Sequence, residues 1–147
     1  MAGKTKVAIA SDHGGFDLKE ALKTAYADKY EWLDLGTNST ASCNYADFGH
    51  AVAKAILDGN AQRGIAICGS GIGISMAANR HRGIRAALCT NATMARLARS
   101  HNDANILALG QRITGIEVAK DCVEAFLNTG YEGGRHDERV KKIDAVN

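Results

Sequence analysis

Apolar positions along the chain fall into two alternating rhythms. Short, nearly continuous apolar runs at Lys6–Ala10, Glu31–Leu35, Gly64–Cys68, Ile84–Leu88 and Ile106–Leu109 read as buried strands. Between them, apolar residues recur at helical spacing. Leu18, Ala21, Leu22 and Ala25 mark a first helix, and Phe48, Ala51, Val52, Ala55 and Ile56 a second. Met94, Leu97 and Ala98 line another, with Thr90 or Asn91 as its N-cap, and Ala119, Cys122, Val123 and Phe126 face inward on the last. The glycine-rich stretch Ile67–Ser75, ICGSGIGIS, opens the helix between the third and fourth strands. Turns or loops are expected at Asp12–Gly15, Gly36 and Thr37–Asn44. The joint Gly130–Gly134 leads into a short basic tail helix from about residue 135. Five successive strand–helix units predict an α/β fold, a five-stranded parallel sheet with helices on both faces. With no linker or long internal repeat, residues 1–147 read as one domain.

Sheets of this kind bind ligands at the carboxyl ends of their strands. That edge should gather Asp12, His13, the loop after Cys68 and the residues after Leu109. The glycine loop fails the dinucleotide fingerprint: its spacing is G-x-G-x-G, it follows the third strand, and the next strand ends in Leu88 and Cys89 rather than an acid. No G-K-[ST] follows, so it is not a P-loop either. What remains is the physics of the turn. Gly69, Gly71 and Gly73 let backbone N–H groups approach a ligand closely, either a phosphate or an oxyanion that develops during a reaction. Cys68 stands at the strand end just before the helix, and both placements favour a thiolate. It is a candidate nucleophile or proton-abstracting base, with a buried structural thiol as the alternative.

Composition narrows the setting. With 147 residues and a formal net charge of +2, the chain shows no charge excess suited to nucleic acid or a membrane surface. The apolar run near its start is too short for a membrane span. A cytoplasmic protein is the expectation. The four cysteines form no C-x-x-C pair, which argues against structural zinc, and Cys89 and Cys122 read as buried free thiols.

Other residues carry potential chemistry. Asp12 and His13 pair a carboxylate with an imidazole at the cleft edge. His101 continues the Met94–Leu97–Ala98 stripe and could be a core histidine. It falls at the amino edge of the sheet, opposite Cys68, so if both act in catalysis the site must be shared between two subunits. Arg135 and Arg139, four apart on the tail helix, and Arg112, just after the fifth strand, suit phosphate, though a solvated basic face is the plainer reading. No short ligand motif supports a metal site built from Asp12, His13 and His101.

Taken in order, Ser11–Phe16 (SDHGGF), Ile67–Ser75, Ala78–Arg80, Gly83–Ala86 (GIRA), His101–Asn105 (HNDAN) and Tyr131–His136 (YEGGRH) resemble the type B ribose-5-phosphate isomerases. That family also includes galactose- and allose-6-phosphate isomerases. The resemblance spans essentially the whole chain. It implies a Rossmann-like three-layer sandwich, a homodimer or dimer of dimers with shared active sites, and neither metal nor organic cofactor. It implies aldose–ketose interconversion of a sugar phosphate through an enediolate. Cys68 would be the base, and the amides of Gly69, Gly71, Ile72 and Gly73 with the Ser70 hydroxyl would hold the enediolate oxygen. His101, from the partner subunit, would open the furanose ring. Asp12, Tyr45 and Asn102 would contact the sugar, while His13, Arg112, Arg135 and Arg139 would surround the phosphate. Some members place a glutamate base at the position of Ile74, which cannot serve, so the role falls to Cys68. The usual Y-P-D-Y reads Tyr45-Ala-Asp-Phe48.

Overall fold

The structure, a computed structural model, describes residues 3–145. Strand β1 (Thr5–Ser11) passes through a single 3-10 turn, His13–Gly15, into helix α1 (Phe16–Ala25). There follow β2 (Tyr30–Asp34), α2 (Tyr45–Leu57), β3 (Arg63–Cys68), α3 (Ile72–Ala78), β4 (Ala86–Leu88), α4 (Ala92–Asn102), β5 (Ile106–Gly110) and α5 (Ile116–Asn128). A second 3-10 turn, Gly134–His136, leads to α6 (Asp137–Asp144). The strands form one parallel sheet in the order β2-β1-β3-β5-β4. The expected five-stranded sheet and its alternation with helices are both present.

Alternate residues of the central strands feed two cores. Val7, Ile9, Ile65, Ile67, Leu107 and Leu109 point to one face and pack against Leu18 and Leu22 of α1, Ala95 and Ala98 of α4, and Val123 and Phe126 of α5. Ala8, Ala10, Ala66, Ile106 and Ala108 point to the other, against Val52 and Ala53 of α2 and Ile74 and Ala78 of α3. The small residues on this second face let the α2–α3 layer lie close. Gly64 is part of the fit, since a Cβ there would fall 2.4 Å from Val52.

Two local expectations shift. β4 begins at Ala86 rather than Ile84, because side-chain bonds take over the backbone there. Asn105 Oδ1 accepts from the Arg85 N–H at 2.8 Å, and its Nδ2 donates to the Gly83 carbonyl at 2.9 Å. Met94 is exposed; Ala98 is buried as expected, and α4 turns Ala95 and Arg99 inward with it. Lys19 on α1 is fully buried. It is tolerated because Nζ donates to Asp34 Oδ2 at 2.7 Å and to Glu20 at 3.1 Å, while Lys23 reaches the same Asp34 oxygen at 2.6 Å. Burial raises the Asp34 pKa, but the two lysines outweigh it and the net shift is downward.

Candidate active site

At the carboxyl edge, β1, β3 and β5 end side by side. A cleft of about 690 Å³ opens there, lined by Asp12, His13, Tyr45, Cys68, Gly69, Ser70, Ile72, Gly73 and Arg112 among others. Nine of the residues expected at the site thus share one cavity. Gly71 lies buried beneath it.

The glycine loop has the shape it has because each glycine answers a different demand. Gly71 has φ +79° and a Cβ there would meet Leu88 and the Leu109 backbone at 2.5 and 2.9 Å. Gly73 makes room for the Tyr45 ring, 2.4 Å from where its Cβ would be. Gly69 faces only ordinary contact with the Arg112 side chain, so nothing in the packing demands its missing side chain. The chain therefore turns tightly over Cys68, which is 4% exposed, and the Gly71 N–H donates to Cys68 Sγ at 3.1 Å. Ile72 N–H donates to Ser70 Oγ at 3.1 Å, which leaves the hydroxyl proton free to turn into the cleft. Among the described residues the N–H groups of Gly69, Ser70 and Gly73 have no protein acceptor. All three residues line the cleft that Cys68 also lines.

The walls are ordered as well. Asp12 is 6% exposed, and its Oδ1 accepts from the Gly15 N–H at 3.1 Å, capping the 3-10 turn that presents His13. His13 Nδ1 accepts from the Cys43 N–H at 3.1 Å. A neutral His13 must therefore carry its proton on Nε2. Arg112 is anchored by its own N–H, which donates to the Gly69 carbonyl at 2.9 Å. Two contributors escaped the sequence reading. Gly110 allows Ser70 to pass, since a Cβ there would lie 2.4 Å from the Ser70 backbone. Cys43 sets the His13 tautomer from within the polar loop. A glycine ending an apolar run was a usable signal for the first; no sequence signal marks the second.

His101, Asn102, Arg135 and Arg139 are not in this cleft. α4 runs back to the amino edge and ends where Asp103 adopts φ +47°. Arg99 clasps that end, donating to Asp103 Oδ1 at 2.8 Å and to the Ala104 carbonyl at 2.7 Å. The tail joins at the same place. Glu132 N–H donates to the Ser100 carbonyl at 3.0 Å, and the His136 ring stacks on that of His101 at 4.3 Å. Arg85 Nη1 grips both oxygens of Asp144 at the end of α6. Asn102 lines a second cavity of about 550 Å³ with residues 79–87 and Asp144. β3 and β5 are in register from Gly64 and Ile106 to Cys68 and Gly110, so roughly 13 Å of strand separates the two edges. Within one chain, Cys68 and His101 sit at opposite ends of the sheet.

The sequence profile of the ribose/galactose isomerase family matches residues 7–143. The chain belongs to that family. It is 44% identical over 142 residues to ribose-5-phosphate isomerase B of Escherichia coli (strain K12), covering 96% of this chain and 95% of that one. Among solved structures, ribose 5-phosphate isomerase of Thermotoga maritima superposes with a TM-score of 0.95 at 52% identity, covering 98% of this chain and all of that one. Ribose-5-phosphate isomerase B of Clostridium thermocellum gives 0.92 at 52% identity, with 95% of each chain covered. Family membership makes this chain a sugar-phosphate isomerase. Among the described residues no helix is long and apolar enough to cross a membrane.

Proposed function

We propose that this isomerase interconverts ribose 5-phosphate and ribulose 5-phosphate through an enediolate, with Cys68 as the base. The observation that carries the reading is Cys68 Sγ beneath a loop of unpaired amides, in a cleft that also holds a hydroxyl, an imidazole and an arginine. A proton α to a carbonyl is only weakly acidic. Removing it requires a placed base and donors aimed at the oxygen that turns negative.

Asp12 and Tyr45 hold the sugar of the incoming phosphate ester, and His101 and Asn102 of a second copy complete the pocket. His101 moves the proton that opens the furanose to the free aldehyde. The Cys68 thiolate then takes the proton from C2, and the electron pair shifts to the C1 oxygen. The amides of Gly69, Gly71, Ile72 and Gly73 share that charge with the Ser70 hydroxyl; the Gly71 and Ile72 N–H groups reach it by exchanging their present acceptors. Return of the proton from Cys68 to C1, with the O2 proton passing to O1, yields the ketose. His13 and Arg112, with Arg135 and Arg139 of the second copy, hold the phosphate and so orient the reacting carbons. The reaction balances with side chains and amides alone, so no cofactor is called upon.

Incubation with ribose 5-phosphate should produce ketose. Cys68→Ala should lower kcat by about 10²–10⁴-fold with the fold intact by circular dichroism. Absence of ketose, or a Cys68→Ala protein as active as wild type, would sink the reading. Relative rates on ribose 5-phosphate and allose 6-phosphate decide whether the pocket is matched to five or six carbons.

A further inference from the structure

The stretch Gly83–Ala86 (GIRA) holds a side chain that the chemistry above leaves without a task, Arg85. Its backbone is fixed. The N–H donates to Asn105 Oδ1 at 2.8 Å, and the carbonyl accepts from the N–H groups of Asn105 and Ile106. Its guanidinium, 13% exposed, reaches two ways. Nε donates to the Asn102 carbonyl at 3.0 Å and Nη2 to the Asp103 carbonyl at 2.9 Å. Nη1 donates to Asp144 Oδ1 at 2.8 Å and to Oδ2 at 2.6 Å. The first set holds the end of α4, the helix that carries His101 and Asn102. The second holds the last residue of α6, the helix that carries Arg139.

The second hold matters because α6 contains no buried residue. Its entry is secured by the Glu132 N–H on the Ser100 carbonyl, by the Tyr131 hydroxyl on Asp137 Oδ1 at 2.6 Å and by the His136 ring against His101. Past Asp137, among the described residues, α6 is hydrogen-bonded to the body of the fold through Asp144 alone, by Arg85 and by Arg82 Nε on the Asp144 carbonyl at 3.4 Å. Arg139 Nη1 donates to the Arg135 carbonyl at 2.7 Å, so these two arginines are coupled. A guanidinium suits the double hold. Its planar fork sends donors in fixed, divergent directions, where an ammonium offers one point.

We propose that Arg85 is a positioning residue. It fixes the ends of α4 and α6 relative to each other, so that one copy presents its ring-opening and phosphate-gripping groups to its neighbour's cleft as a single preset unit. The proposal rests on the roles given above to His101, Asn102, Arg135 and Arg139. An arrangement set beforehand is one that substrate need not impose, and losing it lowers the fraction of protein competent to bind.

Asp144→Asn weakens the hold on α6 alone and leaves the contacts of Arg85 with α4 in place. In the full-length protein, amide hydrogen exchange over residues 137–144, followed by mass spectrometry, should quicken. KM for ribose 5-phosphate should rise about three- to tenfold while kcat stays within about twofold. Arg85→Lys should lose both holds, so kcat should fall as well, by roughly tenfold or more. A contact that serves only stability would lower Tm without dividing KM from kcat in this way. Wild type that forms no ketose would overturn the isomerase reading and this proposal with it. With wild type active, three results would overturn this proposal alone: KM unchanged in Asp144→Asn, KM raised with α6 exchange unchanged, or kcat falling as far in Asp144→Asn as in Arg85→Lys.

Discussion

The two edges of this sheet are built by different means. The carboxyl edge is made of backbone: glycines that let chains pass, the Gly71 amide donating to a sulfur, and the Gly69 carbonyl that anchors Arg112. The amino edge is made of long side chains, with Arg85 and Arg99 clamping carboxylates and carbonyls and two histidines stacked on each other. A backbone-built edge suits stabilising a charge that appears briefly at one point. A side-chain-built edge suits gripping a preformed charge and moving a proton from a distance. On the proposed mechanism each edge holds half of the site, and within one chain Cys68 and His101 lie at opposite ends of the sheet.

The sharpest way to break this comparison is to damage the edges separately. Cys68→Ala and His101→Ala proteins, each inactive alone, should regain activity when their subunits are mixed. In a mixed dimer with shared sites, one site carries both defects and the other neither, so about half the wild-type activity per dimer should return. No recovery in verified mixed dimers would mean each site is built from a single chain.

A smaller effect tests whether the carboxyl edge depends on backbone passage. Gly110→Ala places a methyl 2.4 Å from the Ser70 backbone, which has no flexible end to give way. A loop displaced by about 1 Å should cost on the order of 10²-fold in kcat/KM. Gly130→Ala, at the other edge with nothing within 4 Å, should leave both activity and Tm unchanged. Equal effects of the two substitutions would dissolve the distinction between the edges.

The same contrast decides what could be read from the sequence. The strands and the glycine loop were legible because period and glycine spacing report backbone demands directly. Cys68 was legible as a candidate because topology fixes which end of a strand faces the ligand. His101 could be placed at the edge opposite Cys68, where the structure has it, and that separation is what motivates the proposal of a shared site. Glu132 and His136 were not legible as a pair with His101, because contacts between helix ends and a tail follow no local period. The burial of Lys19 follows no local pattern either; only the position of Asp34, on a different element, explains it. Met94 was misplaced for a related reason: small Ala95 and Ala98 fit the tight α4–α5 contact where a methionine would not.

Asp34 also provides the mildest probe of the comparison, through pH. It lies at the end of β2, below the carboxyl edge, and its Oδ1 accepts from the Gly36 N–H at 2.9 Å. Burial opposes its charge, yet Lys19 and Lys23 outweigh burial and hold its carboxyl below the ordinary aspartate range. A carboxylate with a depressed folded pKa contributes stability that is fully present above the unfolded value and is lost as pH falls through the folded one. Asp34→Asn should therefore lower Tm by several degrees at pH 7, reflecting about 1–3 kcal/mol of charge-assisted hydrogen bonding. The gap between variant and wild type should narrow steadily below pH ~4, as wild-type Asp34 takes up its proton. Thermal melts of both proteins across that range supply the measurement. A gap that stayed constant with pH would mean that the loss at neutral pH comes from packing, and that the lysine pair does not stabilise this edge through charge.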